Sequence, residues 1–199
     1  MEKTFYGDLL PKLELLDKTF TNEIDYYRNT ESAKNDIDPI EHFKHRIKSE
    51  KSLKEKLARR HLPITIESAM AELTDIVGFR IVCTFIHEIY AIADYFKNHP
   101  GLNLLIEKDY VKYPKPNGYR SLHLIFEYTD GVLAHIPFEL QIRTVSMDCW
   151  ASLEHQLKYK HQIKDPELIV TELTRCASIM ASIDINLQTI YQIIKENDA

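Results

Sequence analysis

Residues 138–143 read Phe138-Glu139-Leu140-Gln141-Ile142-Arg143, and the fold follows from their strict alternation of apolar and polar side chains. Successive side chains of an extended chain point to opposite faces, so Phe138, Leu140 and Ile142 turn one way and Glu139, Gln141 and Arg143 the other. Any sheet with one covered and one open face produces this pattern, whatever its function.

Upstream, Leu122 to Tyr128 and Val132 to Thr144 read as strands joined by a Thr129-Asp130-Gly131 hairpin turn. His123 and Glu139 share a face only if paired residue numbers have an even sum, which predicts a three- or five-residue loop or a bulge. Val111 to Arg120 contains Pro114, Pro116 and Gly118 and must be a loop. Leu102 to Tyr110 and the buried run Val77 to Phe85 read as further strands, separated by a helix over His87 to Asn98 that Pro100-Gly101 ends. A short helix is expected near Ile66 to Leu73, and another from about Ser49 to His61 with Leu53 and Leu57 inward. Phe43 and Ile47 either extend that second stripe or lie in the approach to it.

At the ends, Leu9, Leu13, Leu16, Phe20, Ile24 and Tyr27 recur at steps of three or four, an amphipathic helix with Pro11 in its first turns. Beyond Thr144 helical spacing returns, with Trp150, Leu153 and Leu157 on one side. Asp165-Pro166-Glu167 reads as an N-cap and first turn opening a last helix to about Lys195. The expected fold is α+β, a mixed or antiparallel central sheet of about four to five strands flanked by helices, with N- and C-terminal helices. One domain is expected over residues 1–199, as an N-terminal helix (1–38), a core (39–161) and a C-terminal helix (162–199).

A chain of 199 residues, 44% hydrophobic and 28% charged, can bury one core, and five glycines and eight prolines are too few for a linker-rich chain. The N-terminus lacks the apolar run of a signal peptide and no stretch resembles a membrane span, so a cytoplasmic protein is expected. Cys83, Cys149 and Cys176 are odd in number and far apart, which predicts buried free thiols rather than a disulfide framework or a zinc site. A net charge of −5 argues against a protein that coats nucleic acid. The cations nevertheless cluster in residues 44–60 and 108–120, where they suit a small, highly charged ligand.

The polar row of residues 138–143 keeps company with Asp75-Ile-Val-Gly78-Phe-Arg80, Asn117-Gly118-Tyr119-Arg120-Ser121-Leu122-His123, Trp150-Ala151-Ser152-Leu153-Glu154-His155 and the basic block His45-Arg46-Ile47-Lys48-Ser49. In these blocks, in this order, the chain resembles the synthetase domain of the RelA/SpoT family from about Glu41 to Lys160. The histidine-aspartate pair and helical domain of the family's hydrolase half have no counterpart here, nor do its long regulatory domains, so the likeness is to the small alarmone synthetases. The resemblance implies a nucleotidyltransferase-like fold. It also implies a pyrophosphotransferase that moves the β,γ-pyrophosphate of ATP to the 3′-hydroxyl of GDP or GTP, or of GMP, releasing AMP.

By the same resemblance, Arg46 and Arg80 would sandwich the adenine, which suits planar guanidinium groups. Lys48, Ser52 and Lys56, four residues apart, would hold phosphates from one helical face if all three are helical; a solvated face beside Glu50 and Glu55 is the plain alternative. Asp75 would bind Mg²⁺, against a capping role. Glu139 would either share that ion or accept the proton of the attacking hydroxyl, and both roles stay open. Tyr119 looks like the guanine-stacking tyrosine, held at a loop tip, with packing under its own loop as the alternative. Asn117 accompanies it, and Lys112, Lys115, His123, Gln141, Arg143 and His155 are candidates for nucleotide phosphates. His155 also suits a helix surface.

Two rival readings remain. One keeps fold and donor but passes pyrophosphate to a tRNA 3′ end or an adenine nucleotide, as toxin-type relatives do; a dense basic face for RNA is missing outside the donor segment. The other is a nucleotide-binding module whose catalysis has lapsed. Acceptor preference stays open, and so does the oligomeric state. The terminal apolar stripes fit both a homo-oligomer, tetrameric as in small family members, and packing on the chain's own sheet.

Overall fold

The computed structural model describes residues 5–35, 38–158 and 166–197. Its elements are α1 (Leu10–Asn35), β1 (His42–Ile47), α2 (Glu50–Arg59), α3 (Ile66–Glu72), β2 (Val77–Cys83), α4 (Ile86–Lys97), β3 (Leu102–Asp109), β4 (Leu122–Tyr128), β5 (Phe138–Thr144), α5 (Val145–Lys158) and α6 (Pro166–Asn197). The strands form one mixed five-stranded sheet in the order β1-β2-β5-β4-β3. β2 and β5 run parallel at its centre, and the other neighbours are antiparallel. This is the expected α+β architecture.

Alternation decides which face is covered. Val77, Phe79 and Ile81 of β2, Phe138, Leu140 and Ile142 of β5, and Leu122, Leu124 and Phe126 of β4 are buried in the main core. Leu13, Leu16, Phe20, Ile24 and Tyr27 of α1 and Ile89, Ile92 and Phe96 of α4 pack on that face. Phe20 is the pivot, with ring centroids 4.7 Å from Phe79, 5.0 Å from Phe96 and 4.6 Å from Phe138. Tilted and edge-on aromatic contacts at these distances add to what burial alone contributes. The opposite face stays open for polar side chains.

Several expectations need correction. Phe43 and Ile47 belong to strand β1, not to a helix or its approach; Phe43 pairs with Ile81 and Ile47 with Val77. Their alternation with Lys44 and Arg46 has the period of a strand, and an edge position explains why charged side chains occur here. The Thr129-Asp130-Gly131 hairpin is absent: the β4–β5 ladder ends at Phe126↔Phe138, and the connection over residues 129–137 contains a 3₁₀ turn at Gly131–Leu133. That connection is neither of the expected loop lengths and the ladder carries no bulge, yet it is odd, and the pairing His123↔Gln141 has the even sum. His123 therefore does share a face with Glu139. Of the cysteines only Cys83 is buried; Cys149 and Cys176 are exposed on α5 and α6. Trp150 is buried with Leu173 and Ala177 of α6, but Leu153 and Leu157 are exposed. The expected N-cap Asp165 lies outside the described residues.

Candidate functional site

The open face gathers the side chains that alternate with the core. The registers Lys44↔Arg80 and Arg46↔Gly78 set the cations of β1 beside β2, while Gly78↔Glu139 and Arg80↔Gln141 join β2 to β5. These residues, with Asp75, line a cleft of about 230 Å³. A second cleft of about 540 Å³ shares Arg46 and Arg80 as walls and is closed by Tyr119, Arg143 and the α5 residues Glu154 and His155.

Asp75 lies just ahead of β2, where Lys48 Nζ stands 2.9 Å and Lys56 Nζ 2.6 Å from its carboxylate. Burial would raise the Asp75 pKa, but the two lysines outweigh it and hold the carboxyl below its usual range. Lys48 precedes the N-cap Ser49 and is not helical, so the three-residue face over Lys48, Ser52 and Lys56 does not form. Lys48 and Lys56 still converge, one from the end of β1 and one from α2. Ser52 does not join them; it is exposed and its hydroxyl lies 3.0 Å from that of Ser49 in the helix's first turn.

Glu139 is held by two donors. His123 Nδ1 lies 2.9 Å from Oε1 and Gln141 Nε2 donates to Oε2 at 2.7 Å. Burial again pushes the carboxyl up, and these contacts outweigh it to bring the pKa below the usual value. Asp75 contributes a smaller upward push, the expected effect of a second carboxylate in the same cleft. On its other side His123 Nε2 meets the Tyr119 hydroxyl at 2.8 Å, and Arg143 Nη2 donates to that hydroxyl at 2.6 Å. The partners order this chain: Arg143 donates to Tyr119, Tyr119 to Nε2, and Nδ1–H to Glu139.

Tyr119 is thus not at a free loop tip. Its hydroxyl is pinned to the sheet, and the cations of Lys115 and Arg143 lie 4.7 Å and 5.0 Å from the ring centroid. Asn117 Oδ1 accepts from the Tyr119 N–H, and Asn117 Nδ2 donates to Glu154 of α5 at 3.4 Å. Gly118 explains the loop's attachment to α6. Its φ is +87°, and a Cβ there would lie 2.5 Å from the Ala177 Cβ. Lys112 stands apart, exposed with its ammonium over the Tyr113 ring. His155 is exposed at the rim of the second cleft.

Sequence reasoning missed Lys44, Glu154 and Asp148. The period-2 pattern of β1 was the available signal for Lys44, and Glu154 lay within a quoted block. Asp148 reads from sequence only as an acid in the first turn of a helix. In the fold its Oδ1 lies 3.2 Å from both Arg80 Nη1 and Arg143 Nη1.

Among the described residues no group of three or more His, Cys, Asp or Glu could hold a metal. Two hard carboxylates facing one cleft fit a cation whose remaining ligands are phosphate and water oxygens. No helix among the described residues is long and apolar enough to cross a membrane.

Residues 45–164 match the family model described as a region found in RelA / SpoT proteins. The chain is 43% identical over 149 residues to the GTP pyrophosphokinase YwaC of Bacillus subtilis, covering 73% of this chain and 71% of that protein. It superposes on the small alarmone synthetase 1 of Bacillus subtilis bound to its product pppGpp with a TM-score of 0.82 at 28% identity, covering 94% of this chain and 96% of the other. The same enzyme bound to AMPCPP gives a TM-score of 0.76 at 26% identity, with the same coverage. With its fold, its ordered motifs and a family model spanning more than half its length in agreement, this chain belongs to the RelA/SpoT family.

Proposed function

We propose that this protein is a (p)ppGpp synthetase, an ATP:GTP/GDP 3′-pyrophosphotransferase. The observation that carries the reading is two ionised carboxylates facing one cleft, Asp75 beside a pair of lysines and Glu139 beside a histidine, with Arg46 and Arg80 in the same cleft and Tyr119 in the cleft that adjoins it. The naming of its relative as a GTP pyrophosphokinase and the likeness to an enzyme bound to pppGpp support the same activity.

In this reading Arg46 and Arg80 hold the adenine of ATP, and Lys48 and Lys56 neutralise its phosphates. Tyr119 stacks on the guanine, with Asn117, Lys115, Gln141, Arg143 and His155 around the acceptor. The acceptor's 3′-oxygen attacks the β-phosphorus, and the bond from that phosphorus to the α,β-bridging oxygen breaks. AMP leaves with the bridging oxygen, and the hydroxyl proton passes to Glu139. A carboxylate held below its usual pKa is a weak base, so Glu139 serves chiefly to orient the hydroxyl and to take the proton late, when the oxygen has become acidic. Asp75 and Glu139 would hold Mg²⁺, which when bound supplies charge neutralisation to the phosphates. Most of the rate enhancement asked of the protein is alignment and electrostatic stabilisation.

We place the enzyme in the cytoplasm, where both nucleotides are found, and read it as a homo-oligomer, with a tetramer as the specific assembly. Ile179, Ile183, Ile190 and Ile194 lie at helical spacing on α6 and are about half exposed, which suits contact between copies.

The test is turnover with γ-labelled ATP and Mg²⁺, separately with GMP, GDP, GTP, ATP and bulk tRNA, beside Asp75→Asn and Glu139→Gln. Labelled (p)ppGpp that disappears in both variants is expected. Label on tRNA or an adenine nucleotide alone would transfer the same site to a toxin-type activity. Absence of labelled product with every acceptor would leave a nucleotide-binding module.

A further inference from the structure

Asp148 lies in the first turn of α5, 9% exposed, and no role in the proposed chemistry has yet been given to it. Its Oδ1 is 3.2 Å from Arg80 Nη1 and 3.2 Å from Arg143 Nη1. The two arginines stand on neighbouring parallel strands, Arg80 opposite Gln141 and Arg143 opposite Val82. Two partly desolvated guanidinium groups this near one another repel, and Arg46 adds a third positive charge to Arg80. A single shared anion offsets that repulsion and fixes both planes. From Arg143 the connection continues to Tyr119, whose hydroxyl accepts from Nη2 at 2.6 Å, and to Gln141 and Ser121. Arg80 forms a wall common to both clefts.

We propose that Asp148 is the positioning residue that ties the donor-side arginine to the acceptor-side tyrosine, so that one carboxylate sets the geometry of both nucleotide subsites. The proposal rests on the assignment above of the adenine to Arg46 and Arg80 and of the guanine to Tyr119. Asp148 itself contacts neither nucleotide in this account. It acts through Arg80 on one side and through Arg143 on the other.

The experiment is direct binding of a non-hydrolysable ATP analogue and of GDP to the full chain, by titration calorimetry, for the wild type, Asp148→Asn, Arg80→Ala and the double variant, with thermal melts alongside. Loss of a charged hydrogen-bond partner predicts that Asp148→Asn weakens both nucleotides by about tenfold. In the Arg80→Ala background the same change should no longer affect the ATP analogue but should still weaken GDP by about tenfold, because only the Arg143 branch remains. A uniform structural defect would not split in this way. Asp148→Glu, which keeps the charge, should show the same pattern more weakly and serves if Asp148→Asn does not fold. Weakening of one nucleotide only, or an undiminished effect on the ATP analogue in the Arg80→Ala background, would overturn the proposal. Because binding needs no turnover, a wild type that binds both nucleotides yet makes no product sinks the proposed activity and leaves this test intact.

Discussion

His123 Nδ1 lies 2.9 Å from Glu139 Oε1, and the antiparallel register that pairs His123 with Gln141 sets the imidazole diagonally across from the carboxylate. The odd-length connection after β4 is what makes this contact available. A register shifted by one residue would turn the histidine into the core.

The first prediction concerns pH. Burial and the charge of Asp75 both push the Glu139 carboxyl up, and His123 heads the contacts that bring it down. In His123→Ala the acid limb of kcat/KM should therefore move to higher pH. His123→Asn, which can still present an N–H to Oε1, should shift it less. Rate profiles of the three proteins decide it; an acid limb unmoved in His123→Ala would mean that another group limits the rate at low pH.

A second prediction separates the ring of Tyr119 from its hydroxyl. Tyr119→Phe keeps the stacking surface but removes the oxygen that joins Arg143 to His123. The acceptor KM should rise by about three- to tenfold and the ATP KM should stay as it was. Tyr119→Ala, which removes the stacking surface too, should raise the acceptor KM by about 10–100-fold. Steady-state kinetics with each nucleotide varied in turn would read both; equal effects of the two variants would assign the whole contribution to the hydroxyl.

Asp75 links the site to acid stability. Burial pushes its carboxyl up, but Lys56 and Lys48 outweigh that and hold the folded pKa below the usual aspartate range. A depressed carboxyl contributes stability above its unfolded pKa and loses it as pH falls through the folded pKa. The melting temperature of the wild type should therefore exceed that of Asp75→Asn near neutrality, with the gap closing only as pH falls through the ordinary aspartate range near about 4 and on below it. Melts across that range test it, and a constant gap would show that Asp75 is not the group being protonated.

How much of this was legible in the sequence depended on whether a signal was local. Phe20, the pivot of the core, follows from a helical stripe, and Glu139, Gln141 and Arg143 from a two-residue period, because both patterns are written within a few residues. β1 was missed although its period was visible, since its charged side chains serve the open face at a sheet edge. The long β4–β5 connection was missed because Asp130-Gly131 imitates a tight turn while the chain beyond it runs through a 3₁₀ turn before pairing resumes. Lys48 and Lys56 were placed near one another by the wrong geometry, a shared helix face, when the real cause is the turn from β1 into α2. Asp148 carried no local signal. Its importance arises only where β2, β5 and α5 meet, which is a property of the tertiary fold.

The last prediction tests whether α6 sets the position of the acceptor loop. Gly118 holds φ at +87°, where an L-residue pays about 1–2 kcal/mol, and a Cβ there would also approach the Ala177 Cβ to 2.5 Å. Gly118→Ala thus incurs two costs, one in the backbone and one against α6, and both act on the residue next to Tyr119. It should lower the melting temperature and raise the acceptor KM by about tenfold, the scale at which a displaced stacking ring is felt. Ala177→Gly removes the methyl in the way but costs about 1 kcal/mol as a glycine in a helix. The double variant should therefore recover part of the acceptor KM, because the contact is relieved, while melting no higher than Gly118→Ala, because the glycine introduced into α6 offsets that relief and the backbone strain at residue 118 stays. Kinetics and melts on the same preparations separate the two terms. If the acceptor KM of the double variant equals that of Gly118→Ala, contact with α6 does not position the loop, and the strained backbone at Gly118 accounts for the whole effect.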